Sequence, residues 1–214
     1  MSDPANIFNS LIDSFGRYLP VTVISALLLF LFKEFLEANR RRRSEQNKLK
    51  AISFILSEEI KLNYWAFKTL FRTFEELGQL FERYPNAVYN VKETRFREEI
   101  YQYKERPEDQ VWSGHPLPRF VSDRFNTLLP SLAELDLKLS GFVQDTYQEI
   151  AELEHYRQML VSFLANELHE DETFNDLTKA FIKDFSEEES DYFAKLNKSY
   201  RELTGKELKE WRLR

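Results

Sequence analysis

Residues 17–36 constrain this chain more than any other stretch. No charge falls between Arg17 and Lys33, and the run through Val21-Thr22-Val23-Ile24-Ser25-Ala26-Leu27-Leu28-Leu29-Phe30-Leu31-Phe32 is almost wholly apolar. As a helix, residues 17–36 rise about 30 Å, the thickness of a bilayer's hydrocarbon core. The uncharged part alone is short for a span. Lys33 sits near its end, where the long stem carries the ammonium out to the headgroups, and Phe35 and Leu36 extend the apolar reach. The expected element is one transmembrane helix over 17–36. Two soluble readings compete with it. One is a buried core helix, because the uncharged run is near the length where the two are hard to tell apart. The other is a cleaved signal peptide. That needs a basic start and a small-residue cleavage site, yet two acids and no Lys or Arg precede Arg17, and charged residues follow Phe32.

The flanks orient the span. Arg40, Arg41, Arg42, Arg43, Lys48 and Lys50 stand against the single acid Glu45 just after it, and only Arg17 and the amino terminus are positive before it. An excess of Lys and Arg marks the cytoplasmic side, so the N-terminus is expected outside and the C-terminal domain in the cytoplasm. Anionic lipid or nucleic acid is the alternative use of this basic cluster. Residues 1–50 carry a net charge of +3 and residues 51–214 a net −9. An acidic soluble part argues against nucleic acid as the main partner, because phosphate neutralisation needs a basic face. Mean hydropathy of −0.52 agrees with a single membrane-like segment.

The rest reads as helix. Five Gly and seven Pro in 214 residues favour long uninterrupted helices. In 48–84, Leu49, Leu56, Asn63, Leu70 and Leu77 recur at sevens, flanked by Ile60, Phe67, Phe74 and Phe81 at the same interval. A narrow seam of this kind makes an intermolecular coiled coil, with Asn63 as the residue that fixes register. The stripe is wider than two positions per heptad, which favours the core of a helical bundle. A second long helix is expected over 131–168, with Leu132, Leu135, Leu139, Ile150, Leu153, Leu160 and Leu164 on one side and Pro130 in its first turn. Short helices are expected over 93–106 and 118–129, and the two long helices should form an antiparallel pair crossed by the shorter ones. Ile7, Phe8, Leu11, Ile12 and Phe15 mark an interfacial helix in 1–16, although an extension of the spanning helix is the simpler alternative, Gly16 being the only break. Ser186-Glu187-Glu188-Glu189 is a capping box that starts a late helix with Tyr192, Phe193, Leu196 and Leu203 inward. The fold class is therefore all-α: residues 1–16 interfacial, 17–36 transmembrane, 37–50 a basic juxtamembrane segment, and 51–214 a cytoplasmic helical domain.

Chemical signatures are absent from the sequence. There are no cysteines, which removes disulfides, thiolate metal sites and thiol nucleophiles together. Glu152 and His155 lie three apart, the di-iron spacing, but neither His115 nor His169 has a Glu three residues before it, and that chemistry needs the motif twice. No phosphate-binding Gly-rich loop, Gly-x-Ser-x-Gly or zinc-protease motif occurs. No catalytic, cofactor-binding or metal-binding residue and no cofactor is expected. The residues singled out are Arg40, Arg41, Arg42 and Arg43 for membrane anchoring and orientation, and Thr22, Ser25 and Leu29 as one helical face for helix contact or a pore. With them go Asn63 for register, and Trp112 and His115 in a Pro- and Gly-rich loop suited either to recognition or to pinning the loop on the core. The expected function is non-enzymatic: a single-pass membrane protein whose cytoplasmic helical domain meets another protein or copies of itself, with membrane lipids as the other partner. The alternative is an oligomeric pore- or channel-forming effector, as in bacterial stress or phage defence.

Overall fold

The heptad stripe becomes the spine of the fold. The computed structural model describes residues 21–84, 87–95, 99–165, 180 and 189–208. Three quarters of these are helical, and a small antiparallel sheet accompanies the helices. In chain order the elements are α1 (Val21–Arg83), β1 (Val88–Glu93), β2 (Glu99–Lys104), β3 (Ser113–Leu117), α2 (Asp123–Leu135), α3 (Leu137–Ala165) and α4 (Glu189–Thr204). The expected interfacial helix of 1–16, the first four residues of the expected span and the capping-box Ser186 lie outside the described residues.

The chain divides into two units, Met1–Lys48 and Leu49–Arg214. In the first, α1 presents an apolar surface followed by a basic one. Among the described residues no helix is long and apolar enough to cross a membrane. The reason is local: the uncharged part of α1 ends at Lys33, twelve residues after Val21, and Glu34 and Glu37 come next.

In the second unit, Leu56, Ile60, Asn63, Phe67, Leu70, Phe74 and Leu77 are completely buried. They meet Leu132 of α2, Val143, Ile150, Leu153, Leu160 and Leu164 of α3, and Tyr192, Leu196 and Leu203 of α4 in one core. The stripe is thus consumed inside the chain, and each fully buried Leu, Ile or Phe contributes about 1.5–3 kcal/mol.

Four expectations need correction. The fold is not all-α, because Glu93 closes β1 and Glu99–Lys104 is β2 where a helix is expected over 93–106: β1, β2 and β3 form an antiparallel sheet in that order, with Tyr89 opposite Tyr103 and Tyr101 opposite His115. The spacing of Phe96, Ile100 and Tyr103 imitates a helical face, but the run Ile100-Tyr101-Gln102-Tyr103 is rich in residues that pack well on a pleated surface. Trp112 and His115 lie not in an open loop but just before and within β3. Pro130 lies inside α2, and the expected long helix over 131–168 is broken at Asp136, whose backbone is extended and whose carboxylate accepts the Leu139 amide at 2.9 Å. Asp136 thereby caps α3.

The fourth correction concerns direction. Leu139 shares a groove with Leu49 and Ser53, and eight residues later Tyr147 bonds to Glu59. The long helices α1 and α3 therefore run parallel. The sheet carries the chain back to the level of Asn63, and α2 runs antiparallel to both.

Candidate functional site

In the first unit, Leu27, Leu28, Leu29, Phe30, Leu31 and Phe32 are each at least half exposed. Successive helix residues advance by about 100°, so six in a row cover every side of the rod. Thr22, Ser25 and Leu29 are exposed on this surface, and the Ser25 hydroxyl donates to the Val21 carbonyl at 2.9 Å. Arg40, Arg41, Arg42 and Arg43 are all exposed, and Arg41 reaches Glu37 at 3.3 Å.

In the second unit, the polar groups that sequence reasoning missed hold the fold together. Glu59 is 2% exposed. Its carboxylate accepts the backbone amides of Arg124 at 3.0 Å and Phe125 at 3.1 Å, and the Tyr147 hydroxyl at 2.6 Å. The amides belong to the first turn of α2, and Ser122, the N-cap residue, makes no side-chain capping bond. Glu59 supplies from α1 both the missing acceptor and the negative charge that a helix N-terminus favours. Burial, then the bond to Glu59, pushes the Tyr147 phenol far above its ordinary value. The Tyr147 ring also stacks on Phe125 with centroids 4.0 Å apart.

One turn further on, Asn63 donates to the Val121 carbonyl at 2.8 Å and accepts the Val121 amide at 2.7 Å. Both ends of its amide are used on the segment that leads into α2. In this structure it sets register within the chain.

A second buried cluster centres on Arg157. Its guanidinium makes a two-pronged contact with Glu154, at 2.9 and 2.6 Å, and a further ion pair with Glu99 of β2. Arg119 completes the set on Glu99, and Glu154 also accepts the Phe120 amide at 3.0 Å. Burial pushes the Glu99 and Glu154 carboxyls up, but the hydrogen bonds and charge of Arg157, joined by Arg119 at Glu99 and by the Phe120 amide and Gln158 at Glu154, together outweigh it and hold both below the usual carboxylate range. Two positive and two negative groups cancel, and the cluster ties α3 to the sheet. Between α3 and α4, the buried hydroxyls of Thr146 and Ser199 bond each other, and each donates to the Phe142 carbonyl at 3.2 Å in the alternative arrangement.

On the sheet, the His115 ring stacks over Tyr101 at 5.7 Å, and its Nε2 lies 3.8 Å from the Glu76 carboxylate. Glu76 also accepts the Tyr101 hydroxyl at 3.2 Å. Lys104 sits 4.8 Å above the Trp112 ring, while Val111 beside it is exposed. The outer edge of β3 pairs with no strand among the described residues.

The deeply buried Glu59 and Arg157 have their bonding capacity taken up by backbone amides, a phenol and opposite charges. Among the described residues no group of three or more His, Asp and Glu could hold a metal ion. On the surface, the first unit presents the apolar and then basic stretch of α1, and the second presents the β3 edge with Trp112 and His115. No protein-family model, curated protein or solved structure matches this chain.

Proposed function

We propose that this chain is a single-pass membrane protein without catalytic activity. The start of α1 anchors it, and the helical unit from Leu49 onward serves protein interaction, with itself or another protein, on the cytoplasmic side. The observation that carries this reading is the all-round exposure of Leu27 through Phe32. A core helix buries such residues, and a helix lying in the interface keeps a polar face, which this segment lacks. The uncharged run of the sequence is short against a bilayer, so the reading requires Lys33 to snorkel and the bilayer to thin locally. Arg40, Arg41, Arg42 and Arg43 support an inward orientation for the larger unit. On that unit, support for a protein partner comes from the open β3 edge flanked by exposed Val111 and Trp112, the kind of edge that takes an added strand.

Alkaline carbonate extraction tests the anchor, and protease added to intact cells tests the side: the protein stays in the membrane fraction and its bulk is protected. Particle mass in detergent then separates self-assembly from a heterologous partner. Thr22→Leu with Ser25→Leu leaves anchoring intact. Loss of an ion leak in that double variant would instead favour the pore.

A further inference from the structure

We propose that Arg40, Arg41, Arg42 and Arg43 form a ring of cations that gathers the phosphate headgroups of anionic lipids around the whole circumference of α1. This rests on the membrane reading above. Four consecutive residues of a helix span about 300° of azimuth within roughly 4.5 Å of rise. All four arginines are exposed. Arg41 has Glu37 at 3.3 Å, and Arg40, Arg42 and Arg43 have no acidic partner among the described residues.

Geometry selects the occupant. A nucleic acid or an acidic protein approaches a helix from one side and engages half of such a ring, leaving the other guanidiniums facing water. A lipid leaflet pierced by the helix surrounds it and meets all four at one depth. The spacing along the axis agrees. Leu36, half exposed, is the last residue of the apolar stretch, and Arg40 lies one turn on, about 6 Å along the axis. That matches the depth of the headgroup layer, roughly 5–8 Å on each side of the hydrocarbon. Leu36, Arg40 and Ser44 succeed one another along a shallow groove that Lys33, Glu37 and Arg41 also line. An acyl chain resting on Leu36 would bring its phosphate up to Arg40, with the Glu37 carboxylate turned toward Arg41. Guanidinium is suited to the task because its fork of donors matches two phosphate oxygens at once.

The test uses the full chain reconstituted in phosphatidylcholine vesicles that contain a minority of phosphatidylglycerol. Electron spin resonance with spin-labelled lipids gives the preference of the protein-bound shell for one headgroup over the other. The expected preference for phosphatidylglycerol is about fivefold at low ionic strength, falling toward one in high salt. It falls to one in the variant carrying Arg40→Gln, Arg41→Gln, Arg42→Gln and Arg43→Gln, and survives when the same four become Lys. Two half-ring variants probe the circumference: Arg40→Gln with Arg43→Gln, about 60° apart in azimuth, and Arg41→Gln with Arg42→Gln, about 100° apart on the opposite side. Each should lose a comparable part of the preference. If one pair carries all of it, the contact is one-sided and the ring is overturned. A protein that resists carbonate extraction but shows no headgroup preference overturns the lipid proposal alone. The same result with tight binding of a single-stranded oligonucleotide assigns the arginines to nucleic acid instead. A protein stripped from the vesicles by carbonate overturns the anchor and the ring together.

Discussion

Glu59, Asn63 and Arg157 show how much of this fold depends on polar side chains set among apolar ones. Asn63 stands out in the sequence, and Glu59 and Arg157, which sequence reasoning passed over, could be found by the same test of a polar residue on an apolar stripe. Glu59 lies three residues after Leu56 and four before Asn63, on the buried stripe, and Arg157 lies between Leu153 and Leu160 on the other one. A charge at such a position has to be paired or capped, but spacing along one helix cannot say with what. The partners of Glu59 come from more than sixty residues away. Glu59→Ala leaves two backbone amides and a phenol unsatisfied, each worth about 1–3 kcal/mol. A loss of at least ~3 kcal/mol is expected in urea unfolding, against ~1 kcal/mol for Tyr147→Phe, which removes one bond and leaves the cap. Arg157→Met leaves Glu154 without its cation and Glu99 with Arg119 alone, and should cost ~3–5 kcal/mol. The pH dependence carries a definite sign. Both carboxyls are held below their ordinary values in the folded chain, so unfolding takes up protons. The stabilisation is full above the unfolded carboxylate pKa of about 4.3 and is lost as pH falls through the depressed folded values. Unfolding midpoints of the native chain and Arg157→Met, measured from neutral pH downward, should converge on the acid side. A constant gap would mean that the cluster acts by packing and not by charge.

Among the elements, the helices could be read in advance and the sheet could not. Apolar positions on α1 recur at sevens again and again, a signal that local accident does not produce. Six-residue strands give no such redundancy, and in β2 the alternation of Ile100, Gln102 and Lys104 with Tyr101 and Tyr103 puts apolar residues on both faces. Two glycines report on this difference. Gly114 in β3 lies so close to β2 that a methyl group would meet the Tyr101 carbonyl oxygen, so the strands approach as they do only because it is glycine. Gly114→Ala should cost about 1–3 kcal/mol by forcing β3 away. Gly141 in α3 has open space around it, and nothing in the packing requires it. Gly141→Ala should therefore stabilise by ~1 kcal/mol through helix propensity, raising the melting temperature by roughly 2–4 °C. Opposite shifts in a pair of thermal melts would confirm that one glycine is held by contact and the other is not. The break at Asp136 belongs to the same scale. Leu135 and Leu139 continue the apolar period across it, and only the capping bond to the Leu139 amide shows that two helices meet there.

For the whole molecule, the division at Lys48 and Leu49 separates two kinds of surface. Before it, large apolar side chains are exposed one after another on every side of a helix. After it, the exposed large apolar residues among the described ones are Phe54, Val111, Trp112 and Leu137, scattered apart from the Val111–Trp112 pair, as single apolar residues commonly are on a surface in water. The second unit also contains its own core and both buried polar clusters, so none of the interactions argued to hold it together is supplied by the first. A chain beginning at Leu49 should accordingly stay dispersed in buffer without detergent and keep the helical circular dichroism expected of α1 beyond Lys48, α2, α3 and α4. It should also unfold in a single urea transition that still responds to Arg157→Met. The full chain should need detergent under the same conditions. If the shortened chain precipitates or remains with membranes, the apolar rod is not what ties the protein to lipid. If it disperses but shows no cooperative transition, residues before Leu49 contribute to the core in a way that the buried side chains do not reveal. Dispersal with cooperative unfolding would leave the rod with one role, holding a self-sufficient helical unit at a surface, and would make that unit the material in which to look for a partner of the β3 edge.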